Sequence, residues 1–291
     1  MALSFLDATR QLQAKLRALY DASEAAAIAR ILLEHHTALP YTTLLARDKS
    51  MTPAQETTWH DHSLQLLSGK PVQQVTGHAW FCGKEYQVSP QVLIPRPETE
   101  ELVAMVLEAL QHRTAAQARP LKILDIGTGS GCIAIAIKSA LPGAAVTAAD
   151  VSAGALRVAM TNAHAHAADI HFIQADFLSE ASWSAFEYYD CIVSNPPYIP
   201  QSEAATLHPN VAHHEPATAL FVPDADPLTF YRAIADFGKT HLAKQGRIFC
   251  ELHAPNAAAT KALFEDRGYT TSLHKDLQEK ERMISGVRDQ G

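Results

Sequence analysis

The sequence predicts an α/β protein: a doubly wound sheet of seven mostly parallel strands, preceded by a small helical bundle. Three observations carry that expectation. Lys122–Ile137, "KILDIGTGSGCIAIAI", joins a short apolar run to Gly127, Gly129 and Gly131 and then to an apolar stretch of helical length. Strand, glycine turn and helix together open such a sheet. The next apolar run ends in Asp150, 23 residues after Gly127, where a neighbouring parallel strand would end. Residues 4–67, by contrast, space their apolar side chains as helices do and contain no convincing strand.

The bulk numbers agree with a globular protein. The chain has 291 residues, 47% of them hydrophobic, enough for one large or two moderate cores. No apolar run approaches the roughly 18 residues needed to cross a bilayer, and "MALSFLDATRQLQAKL" has acids and no cleavage-site pattern, so no signal peptide or membrane partner is expected. Cys82, Cys132, Cys191 and Cys250 lie far apart and read as buried thiols, not ligands or bridges. A cytoplasmic location follows. The formal charge of −7 argues against a broad phosphate-binding surface and so against direct nucleic-acid binding.

The amino-terminal segment, taken as a helical domain over 1–70, repeats Leu12, Leu16 and Leu19, then Ile28, Ile31, Leu32 and His35, at helical spacing. Thr52 before Pro53, with Gln55 behind, forms a capping box. Trp59, Ser63 and Leu66 or Leu67 face inward from the helix it starts, and Gly69 and Pro71 stop it. Its histidines are scattered, and no metal site is expected. Residues 71–95 mix aromatics, glycines and short alternation, which suggests a hairpin connector. From residue 96 to 291 the catalytic domain is expected. Pro95 and Pro97 stiffen the chain around Arg96, either as a turn-rich linker or as the lining of a site mouth. Thr99 is placed as the cap of a helix to about Leu110, and 112–120 as a linker.

The core then follows in order. The glycine turn, with Thr128 and Ser130, offers positive-φ backbone, close approach to a ligand and helix N–H groups for an anion. The pattern is GxGxG, short of the dinucleotide fingerprint. Asp150 can accept from both hydroxyls of a ribose; alternatively it serves the next helix N-terminus, a duty Ser152 can perform. Leu156 and Met160 are assigned to that helix's buried face. A third strand ends in Asp176-Phe177, an acceptor for an adenine amino group and a ring to pack on it. The fourth strand, "CIVS", releases Asn195-Pro196-Pro197-Tyr198 beside the glycine loop. Two prolines fix the Asn195 side chain and the Pro196 carbonyl. Two acceptors side by side suit an NH2 group, and Tyr198 supplies a flat face. Residues 201–226 form a long connection with His208, His213, His214 and Glu215. A helix, a fifth strand, another helix and a closing hairpin finish the sheet.

With these residues in view the chain resembles the protein-(glutamine-N5) methyltransferases of the HemK/PrmC family, which act on peptide chain release factors. The matching motifs are "VTG" at 75–77, "LIPRPETE" at 93–100, "ILDIGTGSGCIAIAI" at 123–137, "NPPYIP" at 195–200, "HEPATAL" at 214–220, and "KDL", "ER" and "SG" within 275–286. "NPPY" alone is shared with adenine methyltransferases; joined to the others it is specific. The resemblance implies a class I methyltransferase-like fold and S-adenosyl-L-methionine as cofactor, with S-adenosyl-L-homocysteine as product. It implies cofactor contacts from Gly127, Thr128, Gly129, Ser130, Gly131, Asp150, Asp176, Phe177 and Asn195. It also implies that Asn195, Pro196, Pro197 and Tyr198, with Arg96, hold the glutamine of a Gly-Gly-Gln motif, and that Asn195, Pro196 and Tyr198 carry the reaction in a monomer. Gln74, "FVPDADPL" (221–228) and His253 depart from the family pattern. The competing expectations are glutamine methylation of a ribosomal protein and DNA or RNA adenine-N6 methylation, the latter disfavoured by charge and by the need to flip a base.

Overall fold

A computed structural model describes residues 3–114 and 119–288. The chain forms two units: Met1–His78 with His208–His214, and Ala79–Leu207 with Glu215–Gly291.

The first unit is helical. Helices α1 (Phe5–Leu16), α2 (Ala22–Thr37), α3 (Tyr41–Ala46), α4 (Pro53–Leu67) and α5 (Val72–Thr76) follow one another. Each long helix starts on a side-chain cap: Ser4 accepts from Asp7 N, Asp21 from Ser23 N and Glu24 N, and Thr52 and Gln55 form the expected capping box. Such caps are worth about 1 kcal/mol each. Leu12, Leu16, Ile28, Leu32, Trp59 and Leu66 share one core with Leu33. Two assignments change. Leu19 is 44% exposed because α1 stops at Leu16, and Ile31 is 36% exposed because Leu33 takes the inward place. The histidines are less scattered than their spacing suggests: His36 Nε2 lies 3.0 Å from His62 Nδ1, with His35 beside both. No metal-holding group of three or more His, Cys, Asp or Glu occurs among the described residues.

The second unit begins with a hairpin of β1 (His78–Phe81) and β2 (Lys84–Gln87). Helix α6 (Pro97–Thr114) is longer than expected; Thr99 lies inside its first turn and donates to Glu251 Oε2, so it is not the cap. The expected linker overlaps residues 115–118, which lie outside the described residues. Then come β3 (Lys122–Ile126), α7 (Cys132–Ala140), β4 (Ala145–Asp150), α8 (Ala153–Ala165), β5 (Ile170–Gln174) and β6 (Tyr189–Ser194). A two-residue strand, β7 (Ile199–Pro200), pairs with β8 (Phe221–Val222); in chain order α9 (Pro209–His214), which belongs to the first unit, and α10 (Ala217–Leu220) come between the two strands. The chain ends with α11 (Thr229–His241), β9 (Leu242–Glu251), α12 (Ala257–Glu265), β10 (Tyr269–Lys275) and β11 (Glu281–Arg288).

Seven of these strands form the sheet, in the order β10-β11-β9-β6-β3-β4-β5. β3 lies parallel to β4 and β6, β4 to β5 and β6 to β9, while β11 runs antiparallel between β9 and β10. Side chains alternate along each strand. Ile123, Cys191 and Val193 pack on one face with Leu102 and Val106 of α6 and Ile133, Ile135 and Ile137 of α7. Leu124, Ile126 and Ile192 pack on the other with Ile234 and Phe237 of α11 and Phe264 of α12. The three α7 isoleucines are at most 4% exposed, each worth about 1.5–3 kcal/mol of burial. Met160, expected in the core, is 47% exposed; Leu156, at 5%, is buried. Chain order runs one way from β3 through β4 to β5 and the other way through β6 to β9. The crevice at the carboxyl ends of β3 and β6 is therefore the switch point at which such sheets bind ligands.

Candidate active site

Two loops meet at that crevice. From β3 and β4 come Gly127, Thr128, Gly129, Ser130 and Asp150; from β6 come Asn195, Pro196 and Pro197. Together with Asp176, Phe177, Arg96 and Thr99 they line one open cavity. Two expected residues are absent from the lining, Gly131 and Tyr198.

The glycine loop is tightly bonded within the protein. Gly127 N and Thr128 N both donate to Ala149 O, at 2.9 and 3.0 Å, and Gly131 N donates to Thr128 O at 2.8 Å. Gly129 N donates to Asp150 Oδ2 at 2.9 Å. These four amides, all ahead of the first residue of α7, are spent within the protein. A pyrophosphate cradle needs such amides unbonded. What the loop offers instead is room: a Cβ on Gly127 or Gly129 would meet no atom within 4 Å. Gly131 differs. It begins α7 at φ +81°, and a Cβ there would lie 3.1 Å from Ala159 Cβ and from Ile135 Cδ1. Its glycine serves packing.

Asp150 accepts from Ser152 N through Oδ1 at 2.9 Å, while Ser152 Oγ caps α8 by accepting from Ala155 N. The acid and the cap thus coexist, and a carboxylate with two bonds retains lone pairs for hydroxyl donors. Burial raises its pKa, and the N–H groups of Ser152, Gly129 and Val151 oppose the rise. Asp176 is exposed at the cavity edge. Phe177 is 5% exposed, its ring packed against Trp183, Phe186 and Phe237, so it presents an edge of the core to the cavity.

On the opposite wall, Ser194 Oγ donates to Ile126 O at 2.8 Å and locks the ends of β6 and β3 together. Asn195 Nδ2 donates to Thr99 Oγ1 at 3.1 Å. Thr99 Oγ1 donates to Glu251 Oε2 at 2.7 Å, and Tyr198 Oη donates to Glu251 Oε1 at 3.0 Å. Thr99 and Glu251 are 3% and 2% exposed. Burial raises the Glu251 pKa against the hydrogen bonds from Thr99 and Tyr198 and the charge of Arg282. Burial also raises Tyr198, so its hydroxyl stays protonated. Arg96 bonds to Glu215, whose other oxygen accepts from Ile94 N at 3.0 Å. The rigid piece between the two prolines is thereby tied down at the cavity mouth.

Two family models match the chain: a PrmC N-terminal domain over residues 7–77 and a methyltransferase small domain over residues 103–215. Full-length relatives match as well. The release factor glutamine methyltransferase of Flavobacterium psychrophilum is 38% identical over 271 residues, covering 92% of this chain and 94% of the relative. That of Chlorobaculum tepidum is 40% identical over 261 residues, 88% of each. The chain belongs to the release factor glutamine methyltransferases. Among solved structures, the hMettl16 catalytic domain in complex with MAT2A 3′UTR hairpin 6 shares the fold at TM-score 0.54 and 16% identity, covering 84% of each chain. A methyltransferase from Pyrococcus furiosus does so at 0.51 and 15%, covering 78% of this chain and 98% of its own.

Within this chain, three departures from the family pattern have clear surroundings. Gln74 Nε2 donates to His214 O at 2.8 Å. The Phe221–Val222 pair forms β8. His253 stacks on Tyr198, ring centroids 6.0 Å apart and planes 14° apart, and its Nε2 lies 3.2 Å from Glu203 Oε2. Thr99, Glu251, Glu215 and Asn162 were missed as site-builders. Asn162, 1% exposed, donates to Ser130 O at 2.8 Å and exchanges bonds with the Gln87 backbone, clamping the glycine loop to the hairpin. The only sequence signal for it was an amide on the buried side of an otherwise apolar helix face.

Proposed function

We propose that the protein transfers a methyl group to the side-chain amide nitrogen (N5) of the glutamine in the Gly-Gly-Gln motif of peptide chain release factors, with S-adenosyl-L-methionine as cofactor. The observation that carries this reading is one cavity with a nucleoside-type lining on one wall and Asn195-Pro196-Pro197 on the other. When bound, S-adenosyl-L-methionine supplies the electrophilic methyl group, leaving S-adenosyl-L-homocysteine.

The residues present fit that cofactor. It carries no phosphate, and the glycine loop keeps four of its amides for itself while leaving space at Gly127 and Gly129. Asp150 would accept from the ribose hydroxyls and Asp176 from the adenine amino group, with Phe177 against the ring. Asn195 Oδ1 and the Pro196 carbonyl would accept both N–H bonds of the glutamine amide. An amide nitrogen is a poor nucleophile because its lone pair is shared with its carbonyl. Two fixed acceptors orient that nitrogen and stabilise the positive charge that grows on it during attack. They also hold the N–H whose proton passes to water in the open cavity once the new N–C bond has formed. Pro197 braces this corner. Tyr198 enters the proposal in a changed role: it holds the corner from behind, through Glu251, instead of facing the substrate. Arg96, fixed by Glu215, lies at the mouth where the release factor would enter. The helical domain (1–70) would recognise the release factor, 71–95 connect, and 96–291 carry the transfer. The enzyme would act as a monomer in the cytoplasm.

The test uses methyl-labelled cofactor, a release factor with an intact Gly-Gly-Gln loop and its Gln→Ala version. Label is expected on the intact factor alone. Asn195→Ala should lower kcat by about 10²–10³-fold while the affinity for S-adenosyl-L-homocysteine changes less than about threefold. Label on a ribosomal protein or on nucleic acid instead, or equal loss of turnover and cofactor affinity, overturns the proposal.

A further inference from the structure

Behind the proposed substrate wall lies a hydrogen-bond chain in which each proton has one place to go. Glu251 accepts from Thr99 through one oxygen and from Tyr198 through the other. Tyr231 donates to the Glu251 backbone carbonyl and holds the end of β9 in place. Burial raises the Glu251 pKa, while the hydrogen bonds from Thr99 and Tyr198 and the positive charge of Arg282 favour the ionised carboxylate, the form that both hydroxyls address. An ionised carboxylate only accepts, so the single proton of Thr99 is committed to it. The Thr99 oxygen can then only accept from Asn195, and an amide offers a proton only from its nitrogen. The Asn195 carboxamide therefore turns Nδ2 to Thr99, as observed at 3.1 Å, and its oxygen away.

We infer that Glu251 is a positioning residue: acting through Thr99, it fixes the orientation of the Asn195 carboxamide so that the oxygen, not the NH2 group, is presented to the substrate amide. This rests on the proposed role of Asn195. The point matters because the two orientations of a carboxamide have nearly the same shape. In the reversed one, an NH2 group would confront the NH2 of the glutamine, donor against donor. Rigidity from the two prolines sets where Asn195 is but not which way its amide faces. Burial strengthens the device, since at 2–3% exposure no water competes for the Thr99 proton.

The experiment compares Glu251→Leu, Thr99→Val and Thr99→Ser with the parent. Leucine removes the acceptor, freeing the Thr99 proton to bond Asn195 Oδ1; valine removes the acceptor for Asn195 Nδ2; serine restores the hydroxyl. Glu251→Leu and Thr99→Val should lower kcat at least about tenfold, with the release factor KM and the affinity for S-adenosyl-L-homocysteine within about threefold. Thr99→Ser should recover most of the loss. A second readout needs no cofactor. In ¹H–¹⁵N spectra of the free protein, the Asn195 carboxamide pair, assigned by its disappearance in Asn195→Ala, should show one slowly exchanging proton. That protection should vanish in Glu251→Leu and Thr99→Val and persist in Thr99→Ser. Unchanged kcat and protection in Glu251→Leu, or equal behaviour of the valine and serine variants, overturns the inference. So does a parallel fall in kcat and cofactor affinity, which marks a general loss of structure. Should Glu251→Leu fail to fold, the two Thr99 variants decide alone. If Asn195→Ala turns over normally, the proposed function fails, while the spectra still judge the orientation separately.

Discussion

Asp125 offers a prediction whose size can be worked from the structure. It is the one acid inside β3, 0% exposed, on the face that packs against α7. Thr128 Oγ1 donates to its Oδ2 at 2.6 Å. Burial nonetheless pushes its pKa from 3.8 up to about 7, and the like charge of Asp150 adds to the rise. The native state thus keeps the proton longer than the unfolded chain. Through this window the unfolded state binds fewer protons, so stability falls as pH rises. The contribution is fully present below about pH 4 and lost through about pH 7. Each unit of separation is worth about 1.4 kcal/mol. Over the whole window the loss is about 4 kcal/mol, and between pH 5 and pH 8 about 3 kcal/mol. Asp125→Asn has no proton to lose. Its stability relative to the parent should therefore rise by about 3 kcal/mol from pH 5 to pH 8, whatever constant offset the amide introduces. The assay is urea unfolding of the full chain at both pH values, read by pulsed hydrogen exchange in peptides covering Lys122–Ile126. All other titrating groups are common to both proteins and cancel. An offset between the two that stays constant within about 0.5 kcal/mol would refute the reasoning.

The sheet was legible because its apolar runs and its glycine turn are local signals. Each strand from β3 to β6 is a short, mostly apolar run that ends in, or is followed within two residues by, Gly, Asp or Asn, and each lies within two residues of where the sequence set it. The cavity lining was legible for the same reason: Gly127–Ser130, Asp150, Asp176 and Asn195–Pro197 each terminate a strand, and parallel strands end on one side. What was not legible depends on contacts between distant residues. Thr99 meets Glu251 across 152 positions, and Glu215 meets Arg96 across 119. No periodicity encodes such pairs. Tyr198 was assigned by its flat ring, yet its hydroxyl follows a buried carboxylate that the sequence does not place. Met160 and Ile31 were misassigned because helical spacing gives the width of an apolar stripe but not where the neighbouring surface stops.

Three further substitutions separate binding from packing. Asp150→Ala removes the carboxylate that accepts from Gly129 N and Ser152 N and stands ready for a ribose. Hydrogen bonds to a charged group are worth about 1.5–3 kcal/mol, so calorimetry should find the affinity for S-adenosyl-L-homocysteine about 10–100-fold weaker; unchanged affinity would remove Asp150 from the cofactor site. The glycine loop allows the sharper comparison. Gly131→Ala drives a methyl to 3.1 Å from Ala159 and Ile135 at a backbone angle that L-residues resist, φ +81°. Overpacking and strain together should cost about 2–4 kcal/mol of stability, while the cavity, which Gly131 does not line, keeps its shape. Gly129→Ala reverses the balance. Its methyl meets nothing within 4 Å, so only the φ of +55° is unfavourable, at about 1 kcal/mol. Yet Gly129 lines the cavity, and the methyl occupies space that the cofactor needs. Thermal melts and cofactor titrations on the two variants should therefore rank them in opposite orders. Identical ranking would mean that the loop is one rigid unit in which space and packing cannot be separated, and the assignment of Gly131 to packing alone would fall.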